Sequence, residues 1–194
     1  MKWKSFLVPN AFGTKKITSS VRFARVKRKA LPINIGTPSI WMPKTFKKFI
    51  MPTFDFITKN DENAIVEAIG IAEQNTRGEI RVHIEKHTEL TPIERAKEVF
   101  YELGMDATEL RNGVLFYVGV DDHSFAIIGD EGIDKVVPND FWESTKDIVI
   151  DHFKKKEFRE GLIAGVLKAG EQLKKYFPST DNNPNELSNE ITRG

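Results

Sequence analysis

The feature that most constrains the fold is an unbroken run of seven residues, 114–120, in which every residue is apolar or glycine. A strand with no polar face needs cover on both sides, so it belongs at the centre of a sheet with helices above and below it. The polar break DDHS (residues 121–124) separates this run from a second one at residues 125–129. Such a short break joins antiparallel neighbours. The sequence therefore predicts a buried central strand followed by a hairpin partner.

A strand and a helix precede this hairpin. Residues 79–85, EIRVHIE, alternate strictly between polar and apolar, which predicts a strand with one buried face. Thr91, Pro92 and Glu94 carry the capping pattern of a helix that starts here, and Gly104 ends that helix. A strand, a helix and a strand joined in this way form a right-handed parallel pair. The strand at residues 79–85 is therefore expected to lie beside the central one.

Three more helices are expected around these strands. Thr58 caps a helix that ends in residues 75–78, a second helix starts near Asp140, and a last one runs from about Glu157 until Pro178 stops it. This order of elements predicts an α/β fold. Its architecture is a three-layer α/β/α sandwich around a small mixed β-sheet, which contains a parallel pair plus an antiparallel hairpin strand.

Charge divides the chain at Met51. Residues 1–50 contain nine Lys, three Arg and no acidic residue, whereas residues 51–194 carry a net charge of −11. We predict that residues 1–50 are a disordered basic extension, and three interpretations of it remain open. It is an organellar targeting segment, for which the lack of acids is typical, or upstream sequence wrongly included before a true start at Met51, or a functional basic tail that binds nucleic acid or an anionic membrane.

The rest of the chain is expected to hold one domain, residues 51–178, and a disordered tail, residues 179–194, because the tail is polar and rich in turn residues. No apolar run approaches the roughly 18 residues of a membrane span. The chain has no cysteine, which excludes disulfides and thiol chemistry. The acidic core is a poor match for nucleic acid. We expect a cytoplasmic location for this core, or an organellar one if residues 1–50 are native.

Polar residues are expected to gather at one rim of the predicted sheet. The two parallel strands start at the same edge and the hairpin strand returns to it, which places Glu79, Asn112, Asp130 and Glu131 there, beside Arg111. Carboxylate and amide oxygens near glycine turns suit a hard cation, so these four are the candidate metal ligands, for Ca²⁺ before Mg²⁺. Arg111 is a candidate phosphate ligand, because a guanidinium binds phosphate bidentately. Asp130 is the candidate catalytic residue.

A purely structural interpretation of the same residues also remains open. In it, Arg111 forms a salt bridge with Glu79 or Asp130 where the strands end. The opposite rim receives Asp121 and Asp122, which we interpret as turn residues. The four histidines show no metal-ligand spacing, so we expect them at the surface or in turns.

Several segments resemble the TPM-domain family. The resemblance is carried by RGEIRVHIE, AKEVFYELGMDATELRNGVLFYVGVDDHSFAIIGDEGI, DFWE and FREGLIAGVLKAGEQLKKYFP. It implies an α/β/α sandwich, divalent-cation binding in some members, and a phosphatase activity that is attributed within the family but is not general. The recurring polar residues of the family fall on Glu79, Arg111, Asn112 and Asp130.

Two functions follow as alternatives. The first is a TPM domain that binds Ca²⁺ or Mg²⁺, with weak phosphatase activity as an extension of that role. The second is a non-catalytic module that binds a protein partner, in which the cation only stabilises the fold. No residue supplies an obvious general acid, which favours binding over catalysis.

Overall fold

The protein folds around one five-stranded sheet in a computed structural model that describes residues 5–8, 56–180 and 185–194. The strands are β1 (Ser5–Val8), β2 (Glu79–Glu85), β3 (Gly113–Gly119), β4 (Ser124–Gly129) and β5 (Thr192–Arg193). Their order across the sheet is β1-β4-β3-β2-β5. The hairpin strands predicted from residues 114–120 and 125–129 are therefore β3 and β4, and β3 is central.

The pairing of the three inner strands follows the sequence-based prediction. β2 and β3 are parallel and pair along all seven residues of each, and β3 and β4 are antiparallel. Every residue of β3 is buried. Val114, Phe116 and Val118 face one apolar cluster of the core, whereas Leu115 and Tyr117 face the other. An apolar residue at every position is therefore what a strand covered on both faces requires.

Helices cover both faces and complete the predicted three layers. The helices are α1 (Lys59–Glu73), α2 (Pro92–Glu102), the short α3 (Glu131–Asp134), α4 (Glu143–Lys154) and α5 (Phe158–Leu173). α1, α4 and α5 pack on one face of the sheet, and α2 with the 3-10 turn Met105–Ala107 packs on the other. The expected α/β/α sandwich is confirmed.

The helix starts are set by local chemistry. The Thr58 side chain accepts a hydrogen bond from the Asp61 amide at 3.2 Å, and the Thr91 side chain accepts one from the Glu94 amide at 3.3 Å. Both are reciprocal capping boxes, as the sequence predicts. The helix expected near Asp140 begins only at Glu143, because residues 139–142 form a turn ahead of it.

Two short strands lie in the segments that the sequence analysis assigns to the basic extension and the tail. β1 pairs antiparallel with all but the ends of β4, so residues 5–8 are not an unstructured part of the basic extension. The rest of residues 1–50 lies outside the described residues. The tail expected to be disordered contains β5, which pairs parallel with β2 at His83 and Ile84. We call residues 185–194 the strap.

The strap also explains why β2 differs from its predicted one-faced burial. All seven residues of β2 are buried, including the polar Arg81 and His83. α2 covers their face of the sheet from above, and the strap covers the adjoining edge. Strict alternation of polar and apolar residues predicts one solvated face of a strand only if no other element packs on that face. His83 is buried, so the expectation that it is exposed is wrong.

Candidate functional site

The backbones of the predicted site residues meet at one edge of the sheet. Glu79 pairs with Gly113 in the parallel ladder, and the Glu79 amide donates to the Asn112 carbonyl oxygen at 3.3 Å. The Asp130 amide donates to the Gly113 carbonyl oxygen at 2.9 Å. The starts of β2 and β3 and the end of β4 therefore lie side by side, as the topology requires.

Arg111 and Asp130 form the centre of this edge. Arg111 Nη2 donates to Asp130 Oδ1 at 3.0 Å, and Arg111 Nε lies 2.9 Å from Asp130 Oδ2. The second contact is an ion pair whose angles fall outside those of a hydrogen bond. The Asp130 side chain is 0% exposed and that of Arg111 is 36% exposed. The hydrogen bond from Arg111 to the Asp130 carboxylate raises the pKa of Arg111. A buried carboxylate is thus held by a guanidinium that still reaches solvent.

Asp130 is also the N-cap residue of α3. Its Oδ1 accepts the Glu131 amide at 2.7 Å, which caps this one-turn helix. The Gly132 amide donates to the Arg111 carbonyl oxygen at 2.8 Å. A side chain at Gly132 would collide with the carbonyl oxygens of Leu110 and Arg111, so only glycine permits this approach. The Asp130 carboxylate is consequently fixed from two directions.

Arg111 occupies an unusual backbone conformation. Its φ is +53°, in the left-handed region that non-glycine residues rarely adopt. Holding such a conformation costs on the order of 1–3 kcal/mol, which the surrounding contacts have to offset. The bidentate contact with Asp130 and the bond from Gly132 provide those contacts. Backbone strain of this kind is concentrated at functional sites.

Glu79 is directed at the strap and not at Asp130. Its carboxylate accepts the backbone amides of Glu186 and Leu187, each at 3.2 Å. Burial raises the pKa of Glu79, and the two amide hydrogen bonds oppose that effect. The structural alternative in which Arg111 pairs with Glu79 is therefore not what the structure has, whereas pairing with Asp130 is.

Asn112 and Glu131 also have separate partners. Asn112 Nδ2 donates to the Arg77 carbonyl oxygen at 2.6 Å, while its Oδ1 is buried and has no hydrogen-bond partner within the described ranges. Glu131 is partly exposed and pairs with Lys135 at 2.7 Å. The hydrogen bond from Lys135 lowers the pKa of Glu131. The four candidate ligands thus share an edge, but their side chains engage four different partners.

The sequence analysis did not identify one further carboxylate near this edge. Asp106, in the 3-10 turn, acts electrostatically on Arg111 together with Asp130 and Glu131. We call these four residues the acidic rim. A short turn between α2 and β3 gives no periodic signal, so its position over the edge could not be inferred from spacing. Across residues 5–8, 56–180 and 185–194, no group of three or more His, Asp or Glu side chains is already arranged to hold a metal.

The opposite edge has the structural character that the sequence predicts. Asp122 accepts from the His87 ring at 2.6 Å and from the Thr88 amide at 3.0 Å, which ties the β3–β4 turn to the end of β2. The bonds with Asp122 and Glu89 raise the pKa of the exposed His87. Asp121 is exposed in the same turn.

Comparison with known proteins agrees with this fold. The family model described as the TPM domain matches residues 53–172, which is more than half of the chain. The chain belongs to the TPM-domain family. A solved structure, the NMR structure of the BA42 protein from the psychrophilic bacterium Bizionia argentinensis, is 48% identical to this TPM protein and superposes with a TM-score of 0.70. The match covers 73% of this chain and 98% of BA42.

Two further findings bear on the class of protein. Curated protein sequences give no match to this TPM chain. No helix in its described part is long and apolar enough to cross a membrane.

Proposed function

We propose that this TPM domain binds a divalent cation at the acidic rim, Ca²⁺ in preference to Mg²⁺. The observation that carries the proposal is the buried carboxylate of Asp130, which is paired with the partly exposed Arg111 at the same edge as Asn112 Oδ1, a buried acceptor without a hydrogen bond from the described residues. Nearby carboxylates repel each other by about 1–4 kcal/mol per close pair. Arg111 pairs with Asp130 and Lys135 pairs with Glu131, so two positive charges face the three carboxylates of Asp106, Asp130 and Glu131, and a divalent cation would offset the remaining negative charge.

The donor atoms at the rim suit Ca²⁺ in part. Asp130 Oδ2 and Asn112 Oδ1 are buried acceptors without a hydrogen bond from the described residues, and Glu131 adds a partly exposed carboxylate. Such a mixture of carboxylate and amide oxygens matches the flexible coordination of Ca²⁺ better than the strict octahedron of Mg²⁺. Glu79 does not fit, because both of its carboxylate oxygens accept amides of the strap. The bound ion would supply positive charge that the rim lacks.

The geometry supports binding more than phosphoryl transfer. A nucleophilic carboxylate needs a free oxygen that can reach the phosphorus atom. Asp130 is fully buried, and both of its oxygens contact Arg111, with one also bound to the Glu131 amide. Arg111 itself remains partly exposed and retains its capacity to contact an anion. We therefore infer that phosphatase activity is not the main function.

A calcium titration followed by amide NMR tests the cation proposal. We expect saturable shifts at residues 106–113 and 130–132, and a melting temperature that rises with the logarithm of calcium concentration above the dissociation constant. Asp130→Asn and Asp106→Asn should each weaken binding. Asp121→Asn is the matched control, because Asp121 is an exposed carboxylate at the opposite edge. Shifts centred on residues 121–123, or no saturable shift, would contradict the proposal.

A second assay separates binding from catalysis. Turnover of an aryl phosphate is measured with and without Mg²⁺ for the parent protein and for Asp130→Asn. We expect no turnover that depends on both the metal and Asp130. Turnover that Mg²⁺ stimulates and Asp130→Asn abolishes would instead favour a phosphatase.

A further inference from the structure

The strap forms a strand ladder with only a short part of the free edge of β2. On its other side β2 pairs with β3 along all seven residues, but β5 pairs with β2 only at His83 and Ile84. The Gly194 amide donates to the Ile84 carbonyl oxygen at 3.3 Å. An edge strand with unpaired backbone groups can form backbone hydrogen bonds with another extended segment. β5 pairs with only part of the β2 edge.

Two buried side-chain atoms beside the strap, Arg81 Nε and His83 Nε2, have no hydrogen-bond partner among the described residues. Arg81 is 8% exposed, and its Nε finds no acceptor among the described residues. His83 is 4% exposed, and its Nε2 lies 3.6 Å from Glu85 Oε2, which is too long for a hydrogen bond. Buried polar atoms are normally paired, so each exception requires an explanation. Arg81 Nε is a buried donor to which the described part of the strap supplies no acceptor.

The strap shows which side chains this surface accepts. Thr192 Oγ1 bonds to His83 Nδ1 at 2.9 Å. Burial lowers the pKa of Arg81, and the negative charge of Glu190 in the strap opposes that effect. Ile191, between them, packs against the main apolar cluster. Residues 190–192 thus present an acidic, an apolar and a hydroxyl side chain to β2 in that order.

The strap also lies outside the segment that defines the domain. The family match ends at residue 172, and both apolar clusters are built almost entirely from residues 56–177. From the strap, Leu187 and Ile191 are the side chains that pack against these clusters, and both are only partly buried. Displacing the strap therefore leaves the three-layer core in place.

We propose that the edge of β2 is a docking surface for an extended peptide of a partner protein, which runs parallel to β2 and places an acidic side chain against Arg81. The strap occupies this surface as an internal ligand that the partner has to displace. The acidic residue of the partner supplies the acceptor that Arg81 Nε lacks, and backbone pairing extends over more of β2 than β5 covers.

The test compares peptide binding to the full chain and to a variant with a loosened strap, Leu187→Ala/Ile191→Ala. The probe is a fluorescein-labelled peptide of sequence SNEITRG, which copies residues 188–194. We expect the variant to bind it at least ten-fold more tightly than the parent, because the tethered strap competes at a high effective concentration. Replacing the peptide's Glu with Gln should weaken binding at least five-fold, and Arg81→Gln in the protein should abolish that difference. Equal binding of a scrambled peptide, or no saturable binding, would overturn the proposal.

Hydrogen exchange on the unaltered protein gives an independent result that does not depend on the variant. We expect the amides of Glu186, Leu187 and Gly194 to exchange at least a hundred-fold faster than those of Leu115 and Val118, since the strap opens without the core. Equal protection of both sets would show that the strap is an integral strand and that the proposal is wrong. A dimer of the full chain that the peptide dissociates would assign the edge to a second copy and would also overturn it.

Discussion

Arg111 stabilises the protein at the scale of a single residue, because it is the partner of a fully buried carboxylate. Arg111→Ala leaves Asp130 with only the Glu131 amide. Removing one member of a buried ion pair costs about 3–5 kcal/mol. Arg111 is partly exposed, so water can enter the space it vacates, and we expect a smaller cost than for a fully buried pair, about 2–3 kcal/mol. Urea unfolding measures this change.

Two controls decide whether the pair is the cause. Arg159→Ala removes an arginine from the exposed pair with Glu160, and it should change the unfolding free energy by less than about 0.5 kcal/mol. Arg111→Ala combined with Asp130→Asn should be more stable than Arg111→Ala alone, because no buried charge is then left unpaired. A double variant that is no more stable would mean that Arg111 acts through its backbone conformation.

Glu73 makes stability depend on pH in a defined direction. Burial raises the pKa of Glu73 to about 7 from an ordinary value near 4.5, although the Ile80 amide and Asn189 both donate hydrogen bonds to it. The folded state thus holds this proton more tightly than the unfolded state. The stabilisation is full below about pH 4.5 and is lost as the pH rises through about 7.

Glu73→Gln should remove this dependence. Between pH 4.5 and 8 the parent should lose about 3 kcal/mol relative to Glu73→Gln, which follows from a pKa of about 7 in the folded state and about 4.5 in the unfolded state at roughly 1.36 kcal/mol per pH unit. Urea unfolding of both proteins at the two pH values gives the difference. Glu67→Gln, an exposed position on the same helix, should track the parent. A Glu73→Gln protein with the same pH profile as the parent would refute the assignment.

At the scale of elements, β3 is the strand that decides folding. Val118 is fully buried between helices on both faces of the sheet, so Val118→Asp places an unpaired charge in the core. This costs several kcal/mol, which is comparable with the whole stability of such a domain. We expect Val118→Asp to abolish cooperative thermal unfolding followed by circular dichroism. Val136→Asp is the matched control at a position that is 50% exposed, and it should melt like the parent. Cooperative melting of Val118→Asp would contradict the role of β3.

The elements that the sequence predicts well are those with a complete local signal. The seven apolar residues of β3 and the capping boxes at Thr58 and Thr91 identify a central strand and two helix starts without tertiary information. β5 has no such signal, because residues 192–193 form a strand only through pairing with β2. The same limit applies to the site. Topology brings Glu79 and Asp130 to one edge of the sheet. The alternation of residue types and the spacing of motifs do not reveal that the strap binds Glu79 and that Arg111 binds Asp130.

At the scale of the whole molecule, the two outer strands of the sheet come from opposite ends of the chain. β1 lies on the outer edge of β4, and β5 lies on the outer edge of β2, so each edge of the three inner strands is covered. Unpaired sheet edges favour association with other chains, and covering them limits it. The family match spans residues 53–172, so both covering strands lie outside the matched residues.

Deletion of residues 1–50, which include β1, tests whether β1 contributes to cooperative unfolding and to the protection of the β4 edge. The two apolar clusters are formed by described residues from Phe56 onward, so the variant should keep a single cooperative unfolding transition. It loses β1, however, and amides in the range Phe125–Ile128 that face the vacated edge should exchange with solvent faster than in the full chain. The parallel ladder between β2 and β3 should keep its protection, which makes its amides the internal control. Loss of the cooperative transition would show that residues 1–50 contribute to the core. Unchanged exchange along β4 would show that β1 does not protect that edge in solution.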